Sequence, residues 1–141
     1  MPVIFSSVAE ALAAYPTWPW EFFRPEEIAC KESGTLIIVP EFMNKMDDLR
    51  RRIGKPIVIN SWYRSPEHNA AVSTTGLTGP HTTGRAVDIS ELGEDALLLT
   101  VYGYELGFTG FGWKQKGGGR FVHMDDLLAA TNRPRPWTWT Y

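Results

Sequence analysis

Two separated segments carry the side chains that most limit how this chain can fold. Residues 80–89 read PHTTGRAVDI and residues 119–126 read GRFVHMDD, and together they hold His81, Asp88 and His123. Two imidazoles and one carboxylate form the kind of ligand set that holds zinc and leaves one coordination position open. A fold that uses this set has to bring the two segments to a single point.

The local sequence is compatible with such a site. Small residues lie between His81 and Asp88, so the backbone can fold closely around an ion. In FVHMD the alternation of a strand directs His123 to one face and its two neighbours to the other. Lone histidines and aspartates are nevertheless common as ordinary core or surface residues, so the residues alone leave both interpretations open.

Periodicity and turn signals predict an α+β fold, with a small, largely antiparallel sheet and helices on one side. We expect helices over residues 7–14, 24–30, 40–53, 66–72 and 93–106. We expect strands over residues 56–60, 84–89, 108–113 and 120–125, with a last strand over 137–141. In the third helix, Asp47 is expected outside the apolar stripe, and in the fifth helix Leu97, Leu98 and Val101 are expected to pack inward.

The length of 141 residues predicts one domain over 1–141, with residues 1–21 as an N-terminal extension packed on it. Cys30 is the only cysteine, so no intrachain disulfide can form. The net charge of −2 gives no indication of a nucleic-acid partner, and no apolar run reaches the length of a membrane span. We expect a monomer that is made in the cytoplasm, because the N-terminus lacks the basic region of a signal peptide.

Four motifs occur in a fixed order: INSWYRSPEHN at 59–69, PHTTGRAVDI at 80–89, GFTGFG at 107–112 and FVHMD at 121–125. In this combination the chain resembles the zinc D-Ala-D-Ala carboxypeptidase and L-Ala-D-Glu endopeptidase family. These are the LAS metallopeptidases, which share their fold with the hedgehog signalling domain. The likeness extends from about Phe22 to the tail, which runs RPRPWTW. It is greatest to the compact branch found in bacterial envelope enzymes and in phage lysis or tail proteins.

The resemblance implies a role for each matching position. It makes His81, Asp88 and His123 the ligands of a Zn²⁺ cofactor, and it makes Arg64 the group that contacts the substrate carbonyl or carboxylate. A guanidinium near a metal can neutralise a developing oxyanion or bind a carboxylate through two hydrogen bonds. Further positions that match the family's substrate pocket are Ser61, Tyr63 and Asn69, of which Asn69 has a structural alternative, the pinning of a loop.

Two positions depart from the family pattern. A serine is frequent two residues before the first histidine, where this chain has Gly79. A glutamate or aspartate is frequent three residues before the last histidine, where it acts as general base, and this chain has Arg120 there. The remaining carboxylates are Asp125 and Asp126. Asp125 shares a strand face with His123, so we expect it either to act as the catalytic base or to orient a ligand imidazole.

The resulting hypothesis is a zinc-dependent peptidase that hydrolyses peptidoglycan stem peptides, as a carboxypeptidase or as an endopeptidase. It would reach the cell wall if released or carried there by phage or lysis machinery, as an endolysin is. The loops at 73–80 and 114–119 would decide which bond is cut. Arg120 motivates the alternative, which is a non-catalytic, zinc-containing module of the same fold that binds the cell wall or has a structural role.

Overall fold

The computed structural model describes residues 2–141, and the chain folds into the α+β class expected from its sequence. The helices are α1 (Val8–Ala14), α2 (Pro25–Ile28), α3 (Pro40–Ile53), α4 (Pro66–Val72) and α5 (Gly93–Glu105). The strands are β1 (Ile4–Phe5), β2 (Leu36–Ile37), β3 (Val58–Ser61), β4 (Ala86–Ser90), β5 (Gly110–Lys114), β6 (Phe121–Asp125) and β7 (Trp137–Thr140). Two 3-10 turns, Gly76–Thr78 and Pro80–Thr83, lie between α4 and β4.

The main sheet has five strands in the order β3-β4-β6-β5-β7, and β1 pairs with β2 in a separate two-stranded sheet. Neighbouring strands of the main sheet are antiparallel except β5 and β7, which are parallel, so the sheet is mixed. The direction of β7 follows from the connection before it. β6 ends at Asp125 beside Gly110, the first residue of β5, and β7 starts beside that same residue, so it runs alongside β5.

Helix α3 has the bounds that the sequence predicts, from Pro40 in its first turn to a left-handed Gly54 with φ 76°. The prediction that Asp47 lies outside the buried stripe is wrong. Asp47 is buried and accepts hydrogen bonds from the backbone N–H groups of Glu21 (3.0 Å) and Phe22 (3.3 Å). This carboxylate therefore ties the aromatic segment before α2 to α3.

The inward face of α5 also differs from the prediction. Leu97 and Val101 are 61% and 42% exposed, and the buried residues are instead Ala96, Leu99 and Gly103. The reason lies at Gly103, where a Cβ would be 2.2 Å from the Met124 methyl group. The absent side chain lets this face of α5 lie directly against β6, which turns Leu97 and Val101 outward.

The two faces of the main sheet carry different kinds of side chain. Val87 and Ile89 of β4 and Val122 and Met124 of β6 belong to the hydrophobic core, together with the inner faces of α3 and α5. The alternate residues of β4 and β6, which carry the polar side chains, point to the other face. Within residues 2–141, no helix combines the length and the apolar character needed to cross a bilayer.

Candidate metal centre

His81 is held by the 3-10 turn Pro80–Thr83, which follows the glycine at 79 and ends at a left-handed Gly84 (φ 76°). Its Nδ1–H donates to the backbone carbonyl of Trp62 at 2.6 Å. Trp62 is itself buried, with Phe23 and Phe42 packed edge-on against its ring. This hydrogen bond fixes the tautomer, so the lone pair of His81 is on Nε2.

Asp88 and His123 are directly opposite each other in the β4–β6 pair. The His123 Nε2–H donates to Asp125 Oδ2 at 2.8 Å, which leaves the lone pair of His123 on Nδ1. Because Asp125 is two residues further along β6, it lies on the same face as the imidazole that it contacts. Both histidines therefore have the outer-nitrogen hydrogen bond that is typical of metal-ligating imidazoles.

Three ligand atoms converge at this point: His81 Nε2, Asp88 Oδ1 and His123 Nδ1. The Asp88 oxygen lies 3.2 Å from the His81 nitrogen and 3.1 Å from the His123 nitrogen, and all three atoms lie within 4.8 Å of one another. Neighbouring ligands in a tetrahedral zinc site are about 3.3 Å apart, given zinc bonds of about 2.0 Å. Three lone pairs that face one point at this spacing fit a divalent cation.

Burial and mutual contact shift the pKa values of these groups. Burial raises the pKa of Asp88, but a hydrogen bond from His123 or His81, formed when the ring nitrogen that faces Asp88 carries a proton, outweighs burial and holds that pKa well below its usual range. Burial lowers the pKa of His81, and Asp88 only partly opposes this. Burial lowers the pKa of His123, but the protonated ring can donate to both Asp125 and Asp88, which outweighs burial and raises that pKa, so a proton competes with a metal ion for Nδ1. Asp88 and His81 are therefore in the ionisation states that a metal ligand requires.

Arg64 is joined to the site by three hydrogen bonds. It donates to Ser61 Oγ (3.0 Å), Asn69 Oδ1 (3.1 Å) and Asp88 Oδ2 (3.1 Å). A guanidinium has five N–H groups, so two stay free of these bonds. Arg64 also lines the cleft beside the ligands. Ser61 and Asn69 thus lie behind Arg64 and hold it, and Asn69 also donates to Thr75 Oγ1 (2.9 Å) and the Gly76 carbonyl (2.6 Å).

Two residues singled out in the sequence lie elsewhere. Tyr63 is 3% exposed and is not among the residues that line the cleft; its backbone N–H donates to the Ile28 carbonyl. Arg120 is exposed, donates to the Gly117 carbonyl at 3.0 Å and borders a separate surface depression formed with Ser90 and Glu91. The position that often carries the family's base therefore does not face this metal centre.

The ligand group opens into a cleft of about 650 Å³ whose walls include Phe121, Trp139 and Tyr141. A second cavity of about 590 Å³ shares Thr75, Pro80 and Trp139 with it and continues past Trp137, which is 52% exposed. Within the described part of the chain, Asp88 is the only acidic residue lining the first cleft.

Asp125 is fully buried and has both carboxylate oxygens occupied. Arg135 donates from Nε to Oδ1 at 2.9 Å and from Nη2 to Oδ2 at 2.7 Å, while His123 donates to Oδ2. Burial raises the pKa of Asp125, but these partners outweigh it and lower that pKa to about 2. Sequence reasoning did not identify Arg135. The only signal was that the tail RPRPWTW resembles the family's ending.

Comparison with known protein families identifies the family to which this chain belongs. The family model described as Peptidase M15 matches residues 21–125, which is well over half of the chain. The chain therefore belongs to the peptidase M15 family, a family of zinc-dependent peptidases, and this confirms the resemblance seen in its motifs. The search of curated proteins gave no match, and neither did the search of solved structures.

Proposed function

We propose that this protein is a zinc-dependent peptidase that hydrolyses peptide bonds in peptidoglycan stem peptides, as a carboxypeptidase or as an endopeptidase. One observation carries the proposal most directly. In a chain of a peptidase family, a His-Asp-His ligand group lies beside a guanidinium with two uncommitted N–H groups, at the bottom of an open cleft.

In this proposal His81, Asp88 and His123 hold the zinc through Nε2, Oδ1 and Nδ1. Zinc at such a site supplies Lewis acidity, which polarises a carbonyl and lowers the pKa of water. The protein contributes a rigid frame for it. Trp62 and Asp125 fix the two imidazole tautomers, and the paired strands β4 and β6 fix the distance between Asp88 and His123.

Arg64 binds and orients the substrate. Its bond to Asp88 holds the guanidinium against the ligand group, while its free N–H groups can donate to the scissile carbonyl or to a terminal carboxylate. Stem peptides carry several carboxylates, so a cleft with few negative charges suits them. Among the described residues, Asp88 is the only acidic residue that lines this cleft. Donors that meet negative charge as it develops contribute the most to the rate.

Proton transfer has to use groups other than Arg120. We assign Asp125 the role of orienting His123 and not that of base, because both of its oxygens already accept hydrogen bonds from charged or ring N–H groups. Tyr141 lines the cleft, and burial raises its pKa above the ordinary value, so its hydroxyl stays protonated at neutral pH and can donate to substrate. Asp88 contributes one oxygen, Oδ1, to the metal, and its second oxygen, Oδ2, accepts a hydrogen bond from Arg64. Among the described residues that line the cleft, Oδ2 is therefore the side-chain carboxylate oxygen that is not a proposed metal ligand.

The test is hydrolysis of purified sacculi and of soluble stem peptides. Zinc-loaded protein should release new amino groups, a chelator should stop the release, and added zinc should restore it. Mass spectrometry of the products identifies the bond. Asp88→Asn should abolish both zinc retention and release, whereas Arg120→Ala should change neither, because Arg120 lies outside the cleft.

The second candidate is a non-catalytic module of the same family, and the placement of Arg120 away from the cleft favours it. The same experiment separates the two. If the protein retains zinc and binds sacculi but releases no amino groups from any stem peptide, the peptidase proposal fails and the module is the better description.

A further inference from the structure

The C-terminal segment beyond the family-matched residues makes close contacts with a metal ligand. We propose that Arg135 is a positioning residue for His123, that it acts through Asp125, and that it thereby sets the metal affinity of the site. Arg135 lies outside residues 21–125, the part of the chain that matches the family.

The contact between Arg135 and Asp125 is a buried, two-pronged ion pair. The Arg135 side chain is 6% exposed and that of Asp125 is 0% exposed, and the two N–H···O bonds measure 2.9 and 2.7 Å. The planar fork of a guanidinium fixes a carboxylate in orientation as well as in position. Asp125 Oδ1 also accepts the Leu127 backbone N–H at 3.3 Å, so this carboxylate has little freedom to rotate.

Asp125 passes this constraint to His123. The Oδ2 atom that receives Arg135 also accepts the Nε2–H of His123, and this bond turns Nδ1 toward the ligand group. On the other side, the Trp139 ring packs on the imidazole with centroids 5.0 Å apart, and the Arg135 guanidinium lies 5.3 Å from the Trp139 ring centroid. Asp125 therefore holds His123 through its Nε2–H, and Trp139 packs against its ring. Arg135 contacts both Asp125 and Trp139.

Strand β5 is shaped to admit these side chains. A Cβ at Gly110 would lie 2.5 Å from both Asp125 oxygens and 2.6 Å from Arg135 Nε. A Cβ at Gly112 would lie 2.4 Å from Trp139 Nε1. Two glycines on one face of a central strand leave space that Arg135 and Trp139 fill. This observation is independent of the hydrogen bonds and supports the same assignment.

The chain offers a matched control in the next acidic residue. Asp126 is also buried and forms the same kind of two-pronged pair with Arg85, with both bonds at 2.8 Å, and it binds Lys45 as well. Neither Arg85 nor Asp126 contacts a metal ligand through its side chain. Loss of Arg85 therefore removes a comparable ion pair without reaching His123.

The experiment measures zinc affinity by competition with a chromophoric chelator for wild type, Arg135→Ala and Arg85→Ala, with thermal unfolding of the metal-free proteins alongside. Loss of a residue that orients a ligand typically weakens metal binding about 10–100-fold, and we expect that range for Arg135→Ala. Arg85→Ala should lower the unfolding temperature yet keep the zinc dissociation constant within about twofold of wild type. The visible spectrum of the cobalt-loaded protein should change for Arg135→Ala only.

A second variant covers the case in which Arg135→Ala does not fold. Asp125→Asn keeps the shape of the side chain but cannot accept hydrogen bonds on both ends, so it should weaken zinc binding by a similar factor. The proposal is overturned if a folded Arg135→Ala or Asp125→Asn protein binds zinc as tightly as wild type. It is equally overturned if Arg85→Ala weakens binding as much. The zinc dissociation constant and the cobalt spectrum are both measured without reference to peptidase activity.

Discussion

Gly79 occupies the position where the family often has a serine, and its surroundings explain the difference. Its backbone angles, φ −65° and ψ 168°, are open to any residue, so the conformation does not require glycine. A Cβ there would instead lie 2.0 Å from Thr75 Oγ1, 2.6 Å from Thr75 Cβ and 2.7 Å from Asn69 Nδ2. The Thr75 side chain thus takes the space that a side chain at residue 79 would need.

Gly79→Ala should therefore destabilise the protein by about 2 kcal/mol. Overpacking costs about 1–3 kcal/mol, and disturbing the hydrogen bond between Asn69 and Thr75 costs about 1 kcal/mol. The reduced freedom of the unfolded chain returns about 0.4–1 kcal/mol. Thr75→Gly removes the same hydrogen bond and adds backbone freedom, so it should also cost about 2 kcal/mol.

The decisive comparison is the double variant, because removal of Thr75 makes room for the new methyl group. We expect Gly79→Ala with Thr75→Gly to cost about 2.5 kcal/mol rather than the additive value of about 4, a favourable coupling of about 1.5 kcal/mol. Urea unfolding followed by tryptophan fluorescence measures all four proteins. Gly118→Ala, with no atom within 4 Å of the added Cβ, is the control and should change stability by less than about 0.5 kcal/mol. Additivity within about 0.5 kcal/mol would refute the steric explanation.

Three further predictions concern the metal centre. With zinc in excess, so that the site stays loaded although Arg64 also bonds the ligand Asp88, Arg64→Ala should lower kcat/KM on a stem peptide about 10²–10³-fold, measured by peptide release with metal analysis alongside. Zinc at about 100 times its dissociation constant should stabilise wild type by about 2.7 kcal/mol, or about 9 °C in Tm, and Asp88→Asn should show no such rise in calorimetry. The pKa of Asp125 is lowered to about 2 in the folded chain, so its contribution to stability is complete above about pH 4 and is lost as the pH falls toward 2. With a chelator present, the free energy of unfolding of wild type should fall over that pH range, and it should fall less in Asp125→Asn. If the free energy of unfolding changes with pH identically in the two proteins, this carboxylate does not contribute.

Much of the local structure could be predicted because local signals determine it. The bounds of α3 follow from Pro40, an apolar stripe and Gly54. Strand alternation placed His123 and Asp125 on one face, and the β4–β6 pairing brings Asp88 opposite His123. These features depend on residues that are neighbours along the chain or on a motif that the family shares.

What could not be predicted depends on contacts between distant residues. The outward turn of Leu97 results from Gly103 meeting Met124, and the burial of Asp47 results from backbone groups of the N-terminal segment. The parallel direction of β7, and with it the contact between Arg135 and Asp125, depends on where the chain after β6 crosses to the far side of β5. No periodicity within a short window contains that information.

The most direct test of the central claim is a crystal structure of the zinc-loaded protein with anomalous data collected at the zinc edge. One peak should lie about 2.0–2.2 Å from His81 Nε2, Asp88 Oδ1 and His123 Nδ1, with the Nε2 of His123 still bonded to Asp125. A peak at another place, or a zinc bound through Nε2 of His123 with the bond to Asp125 broken, would contradict the account.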